Sequence, residues 1–194
     1  MGLFKVLYKF YRYGNDKQYF LDMLIKFFKK YIANAKPTFD YITLYPEHEK
    51  DKLNGNMVNL LNDFSEATEL KYEQILRRNR TINPNHEIGG VEQRRENVAG
   101  SIDILEDVKG KNVLIIDNVS ITGTSLLAIN NDLIKNGAKI VAGICLGLGD
   151  IEIETDYDLN PSKKWNIHEI MATFKSKKVS KEKREQWRKI TLAG

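Results

Sequence analysis

Apolar positions recur at helical spacing in two stretches near the N-terminus. In "DKQYFLDMLIKFFKKYIANAK", Phe20, Leu21, Leu24, Phe27, Phe28 and Tyr31 fall along one face while Lys17, Lys26, Lys29 and Lys30 fall elsewhere, which predicts an amphipathic helix packed on a core. In "NGNMVNLLNDFSEAT" the spacing of Met57, Leu60, Leu61 and Phe64 predicts a second. Between them, "FDYITLYPEH" is short, rich in aromatic and β-branched residues and interrupted by Pro46, so it reads as a strand leading into a loop. From Lys71 to Ile104 the texture turns polar and basic and is punctuated by Pro84, Gly89, Gly90 and Gly100. Most of that segment is expected to be loop or mobile excursion, with a short helix at "VEQRREN".

The pattern sharpens after Lys111. "NVLIID" is a near-continuous apolar run, as in a strand buried on both faces, and the strand is expected to end at Asp117. "SLLAINNDLIKNG" predicts a helix stopped by Gly137, and "AKIVAGICLGL" a second buried strand. Strand, helix and strand within fewer than forty residues form a βαβ unit, so the fold class is α/β with a doubly wound, mainly parallel sheet. With neither repeats nor low-complexity linkers, the 194 residues are expected to form one domain. Its core is placed at about 38–150, with a helical hood segment over 1–37 and a basic segment over 151–194.

Composition narrows the class further. The single Cys145 excludes an internal disulfide and a cysteine-based zinc site, and no His or Cys cluster has zinc-ligand spacing. No window approaches the roughly 18 apolar residues of a membrane span, and the start lacks the pattern of a signal peptide, so a cytoplasmic location without membrane contact is expected. The net charge of +4 is unevenly placed: Lys163–Lys189 holds ten Lys or Arg against three Glu. That run is a solvated basic helix or a nucleic-acid contact.

Candidate chemistry gathers where the apolar run meets Asp117. In open parallel sheets ligands sit beyond the carboxyl ends of the strands. Here Asp117 and Asn118 precede Ser120, Thr122, Gly123, Thr124 and Ser125, a hydroxyl-rich turn that runs into a helix N-terminus. Backbone donors and the helix dipole favour an anion there, naturally a phosphate. The sequences of an ordinary P-loop and of a dinucleotide fingerprint are absent, and a carboxylate ahead of a phosphate loop points to a sugar phosphate.

"VLIIDNVSITGTSL" resembles the signature of the type I phosphoribosyltransferases. The segment containing "ILRRNRT" and "RENVAG" is similar to the corresponding part of ComF-type members, although the Cys pairs of their zinc ribbon are missing. The likeness runs from Tyr8 to Leu146. It implies binding of phosphoribosyl pyrophosphate (PRPP) with Mg²⁺, the metal near Asp117, and transfer of the phosphoribosyl group to a nitrogenous base or related acceptor. Asp117 and Asn118 are the implied ribose-side catalytic residues, and Ile121, Thr122, Gly123, Thr124 and Ser125 the phosphate cradle. Tyr45 and Pro46 fall on the pyrophosphate side. Arg77, Arg78 and Arg80 are expected on a flexible loop closing over pyrophosphate, with Arg94 and Arg95 as weaker candidates. A homodimer is common in this family.

Two departures stand out. The family's second carboxylate is here Asn118, and Ile121 stands where a Thr is usual. The amide keeps a rival reading open: a catalytically weak PRPP- or nucleotide-binding module, such as a ComF-like DNA-uptake or regulatory factor. His48, His86, His168, Tyr157 and Trp165 are assigned to surface or packing roles.

Overall fold

The computed structural model describes residues 3–32, 38–84, 87–120 and 123–148. Among these described residues are the helices α1 (Leu3–Tyr13), α2 (Lys17–Tyr31), α3 (Gly55–Thr68), α4 (Val91–Val98) and α5 (Thr124–Lys135). The strands are β1 (Tyr41–Leu44), β2 (Leu76–Arg78), β3 (Ile102–Ile104), β4 (Asn112–Ser120) and β5 (Ile140–Leu148). β1, β4 and β5 form a parallel sheet with β4 in the middle, and β2 pairs antiparallel with β3. The α/β class with a mainly parallel sheet is therefore as expected. No helix among the described residues is long and apolar enough to cross a membrane.

Alternation along the strands divides the core into two layers. Ile42, Leu44, Leu114, Ile116, Ile144 and Leu146 face α1, α2 and α3, where they pack with Phe10, Phe20, Leu24 and Phe64. Val113 and Ile115 face the other way, against Leu126, Ile129 and Leu133 of α5. Helices thus cover both sides of β4, which explains why its sequence is apolar without alternation. Each of these fully buried aliphatic side chains contributes roughly 1.5–3 kcal/mol.

Local signals start the helices where they were legible. Asn54 caps α3, its side-chain oxygen accepting from the backbone N–H groups of Asn56 and Met57 at 3.1 Å. The expected Met57, Leu60, Leu61 and Phe64 are all buried.

Two expectations need correction. The segment from Lys71 to Ile104 is largely irregular, as expected, but it is packed rather than a loose excursion: Ile75, Leu76, Arg78, Ile82, Arg94, Val98 and Ser101 are buried, and β2 and β3 pair across it. Three-residue strands are too short to leave a periodic signal, and the charge of Arg78 is satisfied internally rather than by water. The short helix at Val91–Val98 is where it was expected. The second correction concerns β4, which does not stop at Asp117 but continues to Ser120, because β5 runs alongside it to pair Val119 with Gly147 and Ser120 with Leu148.

Candidate functional site

The carboxyl end of the sheet is stepped. β1 leaves the ladder after Leu44, which pairs with Ile116, and the Tyr45 N–H still donates to the Ile116 carbonyl at 2.9 Å. From Asp117 onward β4 has a neighbour only on the β5 side, so Asp117 borders the crevice that opens where β1 departs. Tyr45, Pro46 and Glu47 cross this crevice, and α1 and α3 close it from the side. A cavity of about 40 Å³ results, its polar lining supplied by Tyr11, Tyr45, Glu47, Asn54, Asp117 and Asn118.

Asp117 is 9% exposed. Its Oδ1 accepts the Asn118 N–H at 2.7 Å, and among the described residues it has no ion-pair partner. Burial therefore pushes its carboxyl up to about 7, against the opposing pulls of the Asn118 hydrogen bond and the more distant charge of Arg78. Asn118 lines the same cavity, and its side-chain oxygen accepts the Val119 N–H. The amide's acceptor is thus already engaged.

The phosphate-loop candidates divide. Ile121 and Thr122 lie outside the described residues. Gly123 adopts φ 74° at the N-cap of α5 and has no side chain to satisfy the helix's first N–H groups. Its own N–H donates to Ser120 Oγ at 3.0 Å, which ties the turn back to the end of β4. Thr124 is buried, and Ser125 hydrogen-bonds the Tyr45 phenol, joining the loop after β1 to the start of α5. Burial is the main cause that raises the Tyr45 phenol above its ordinary range.

The three arginines are not brought together. Strand alternation buries Arg78 at 1% exposure and leaves Arg77 outside. Arg78 Nε donates to the Glu47 carbonyl at 2.9 Å, Nη1 to Ser101 Oγ, and Nη2 approaches the Pro46 carbonyl at 3.4 Å, with the guanidinium 5.3 Å from the Tyr45 ring centre. It shapes the loop after β1 from beneath. Arg77 pairs with Asp103 at 2.7 Å and Asp51 at 3.8 Å, and Arg80 donates to the carbonyls of Asn97 and Ala99. Arg94 donates to the Ile88 carbonyl and Arg95 pairs with Glu92, both within their own segment. His48 lies 3.9 Å from Glu49 on the surface. His86, Tyr157, Trp165, His168 and the basic run of Lys163–Lys189 lie outside the described residues.

Glu47, Tyr11 and Asn54 complete the cavity without having been anticipated from sequence. Glu47 had a signal, since it directly follows Tyr45 and Pro46 at a strand's carboxyl end. Tyr11 had none: its hydroxyl donates to Glu47 Oε1 at 2.8 Å across 36 positions of chain. Side-chain amides of Asn54 and Asn56 hold the Tyr11 carbonyl at 3.1 Å each, anchoring the end of α1 beside the crevice.

No protein-family model matches the sequence, and no curated protein does. Among solved structures, a purine phosphoribosyltransferase from Pyrococcus horikoshii is similar over 68% of this chain and 71% of its own, at 20% identity and a TM-score of 0.41. A hypoxanthine phosphoribosyltransferase from Staphylococcus aureus is similar over 70% of each chain, at 13% identity and a TM-score of 0.44. The Leishmania tarentolae HGPRT-ase in complex with GMP is similar over 73% of this chain and 71% of its own, at 8% identity and a TM-score of 0.39. At this level of likeness the site's own residues, not the neighbours, carry the chemistry.

Proposed function

We propose that the chain binds PRPP at the carboxyl end of β4 and transfers its phosphoribosyl group to a nitrogenous acceptor, releasing pyrophosphate. One observation carries this reading: a buried carboxylate without an ion-pair partner among the described residues, Asp117, stands six residues ahead of a glycine that forms the N-cap of α5 at φ 74°, where the helix dipole favours an anion. Such a carboxylate accepts hydrogen bonds from ribose hydroxyls. The turn from Gly123 through Thr124 and Ser125, with Ile121 and Thr122 ahead of it, offers backbone donors to the 5′ phosphate. The ionised form of Asp117, disfavoured by burial, is restored when ribose hydroxyls donate to it.

A cavity of about 40 Å³ holds a few water molecules. A sugar phosphate needs far more space, so its entry parts Tyr11 from Glu47 and shifts α1 away from the crevice. The C1–oxygen bond to pyrophosphate then breaks with its electron pair on the departing oxygen. The acceptor nitrogen's lone pair forms the new bond to C1, and its proton passes to solvent. Charge on C1 peaks between these events, as in glycoside chemistry, and Asp117 faces it. Arg78 braces Tyr45, Pro46 and Glu47 at the crevice and adds positive charge beneath them. Mg²⁺ fits the donor chemistry, a hard carboxylate oxygen at Asp117, with phosphate and water oxygens supplying the remainder. Among the described residues no cluster of three or more His, Cys, Asp or Glu is arranged to hold a metal by itself. When bound, the ion neutralises charge developing on pyrophosphate.

Asn118 favours a second reading, a PRPP- or nucleotide-binding module with weak turnover. It contributes no charge, and its oxygen is occupied by Val119. Calorimetric titration with PRPP and Mg²⁺ tests the shared binding claim, and pyrophosphate release across a panel of bases separates enzyme from module. Binding without release supports the module. Absence of binding at millimolar PRPP removes both.

A further inference from the structure

We infer that Glu47 is the second ligand-facing carboxylate of this site and supplies, from the loop after β1, the negative charge that Asn118 lacks. The inference rests on the PRPP-binding reading and deepens it.

The cavity that Asp117 and Asn118 line is lined also by Glu47, whose side chain is 13% exposed. Its Oε1 takes the Tyr11 hydroxyl at 2.8 Å and its Oε2 lies 3.6 Å from Lys52 Nζ, which is itself half in solvent and held by Glu49 at 2.5 Å. Both contacts are of a kind that an incoming ligand displaces: one is to a phenol on α1, the other to a lysine that already has a second acidic partner. Glu47 and Asp117 line the same cavity beside the Tyr11 phenol. Nor is the cavity only a meeting of acids. Asp117 is nine-tenths buried, borders the empty space, and its Oδ2 accepts no hydrogen bond from a described residue.

The backbone makes Glu47 a fixed part of the crevice. Arg78 grips its carbonyl from below, and its N–H donates to the Lys52 carbonyl at 3.1 Å. Glu47 lines the crevice from the loop after β1, while Asp117 lines it from β4. A sugar ring lodged between them meets negative charge on both sides, the arrangement that favours a cation-like C1. Glu47 acts by charge and by accepting hydroxyl hydrogen bonds, and takes no proton.

The test is a double-mutant cycle with E47Q and N118D, read by calorimetry of Mg²⁺-dependent PRPP binding and by thermal melting. Gln keeps an acceptor for Tyr11 and removes only the charge. E47Q is expected to weaken PRPP about tenfold with an unchanged melting temperature, and N118D to restore most of that loss in the E47Q background while changing the wild type less. E47D, which keeps the charge, is expected to stay within about threefold of wild type, and it carries the test if E47Q does not fold. Wild-type binding with E47Q equal to it, or E47D losing as much as E47Q, overturns the inference and leaves the PRPP reading standing. Failure of the wild-type protein to bind PRPP overturns both.

Discussion

Replacing Asp117 with Asn, in protein freed of divalent metal by a chelator, gives a quantitative test of how the site is built. In the folded chain the carboxyl is raised from 3.8 to about 7, chiefly by burial. Below about pH 4 the group is protonated in both states and costs nothing. As pH rises from there the unfolded chain releases the proton while the folded chain holds it, so stability falls until pH passes about 7 and is flat above. At roughly 1.4 kcal/mol per pH unit, the interval between the two values corresponds to about 4 kcal/mol lost at pH 8. That is a large share of the 5–15 kcal/mol that holds an average domain together. Asn at this position still offers an oxygen to the Asn118 N–H and has no charge to bury. Urea unfolding of both proteins at pH 5, 6, 7 and 8 checks the reasoning, because other titrating groups cancel in the difference. The variant is expected to gain on the wild type steadily with pH, by about 2.5 kcal/mol between pH 5 and pH 8. A difference independent of pH refutes the claim that Asp117 is held in a cation-poor, desolvated crevice.

Other outcomes follow from neighbouring residues. Asn118→Asp is expected to raise pyrophosphate release by less than tenfold in the wild type, where Glu47 already lines the site, and by more in the E47Q background, measured at steady state with the best acceptor of a base panel. Gly123→Ala is expected to cost about 1–2 kcal/mol and to weaken phosphate binding, because φ 74° is unfavourable for any L side chain. No atom of the described residues lies within 4 Å of the position a Cβ would take, so backbone strain rather than crowding is the cause. Arg78→Met is expected to destabilise by about 3 kcal/mol or more in urea unfolding, since it strips charged donors from Glu47 and Ser101. It also removes the one positive charge that lowers Asp117, so the fall in stability with pH extends to higher pH.

Legibility in the sequence followed the range of the interactions. α3 could be placed from its apolar spacing, because a helix face is a local pattern. β4 and β5 could be recognised as buried, since helices on both sides demand unbroken apolar runs. The extension of β4 to Ser120 was hidden, because the polar residues after Asp117 read as a turn until β5 supplies partners for them. Arg78 read as one of the cations of a flexible loop closing over pyrophosphate. Its burial depends on backbone carbonyls of Pro46 and Glu47, more than thirty positions away, which no periodicity encodes. The same holds for Tyr11, which reaches Glu47 only once α1 has packed Leu7 and Phe10 into the core. The Asp117–Ser125 stretch was legible as chemistry because strand, acid and Thr-Gly turn are contiguous. The other half of the crevice, Glu47 with Tyr11 and Asn54, is assembled from three separate elements.

The central claim is that the crevice beside Asp117 receives a phosphorylated ribose. Isothermal titration of the wild-type protein with PRPP in the presence of Mg²⁺, at pH 7.5, addresses it most directly. Saturable binding at micromolar to low-millimolar concentration, lost in Asp117→Asn and weakened in Gly123→Ala, is the predicted result. An absence of heat and of competition up to several millimolar PRPP, from protein that melts cooperatively, contradicts it.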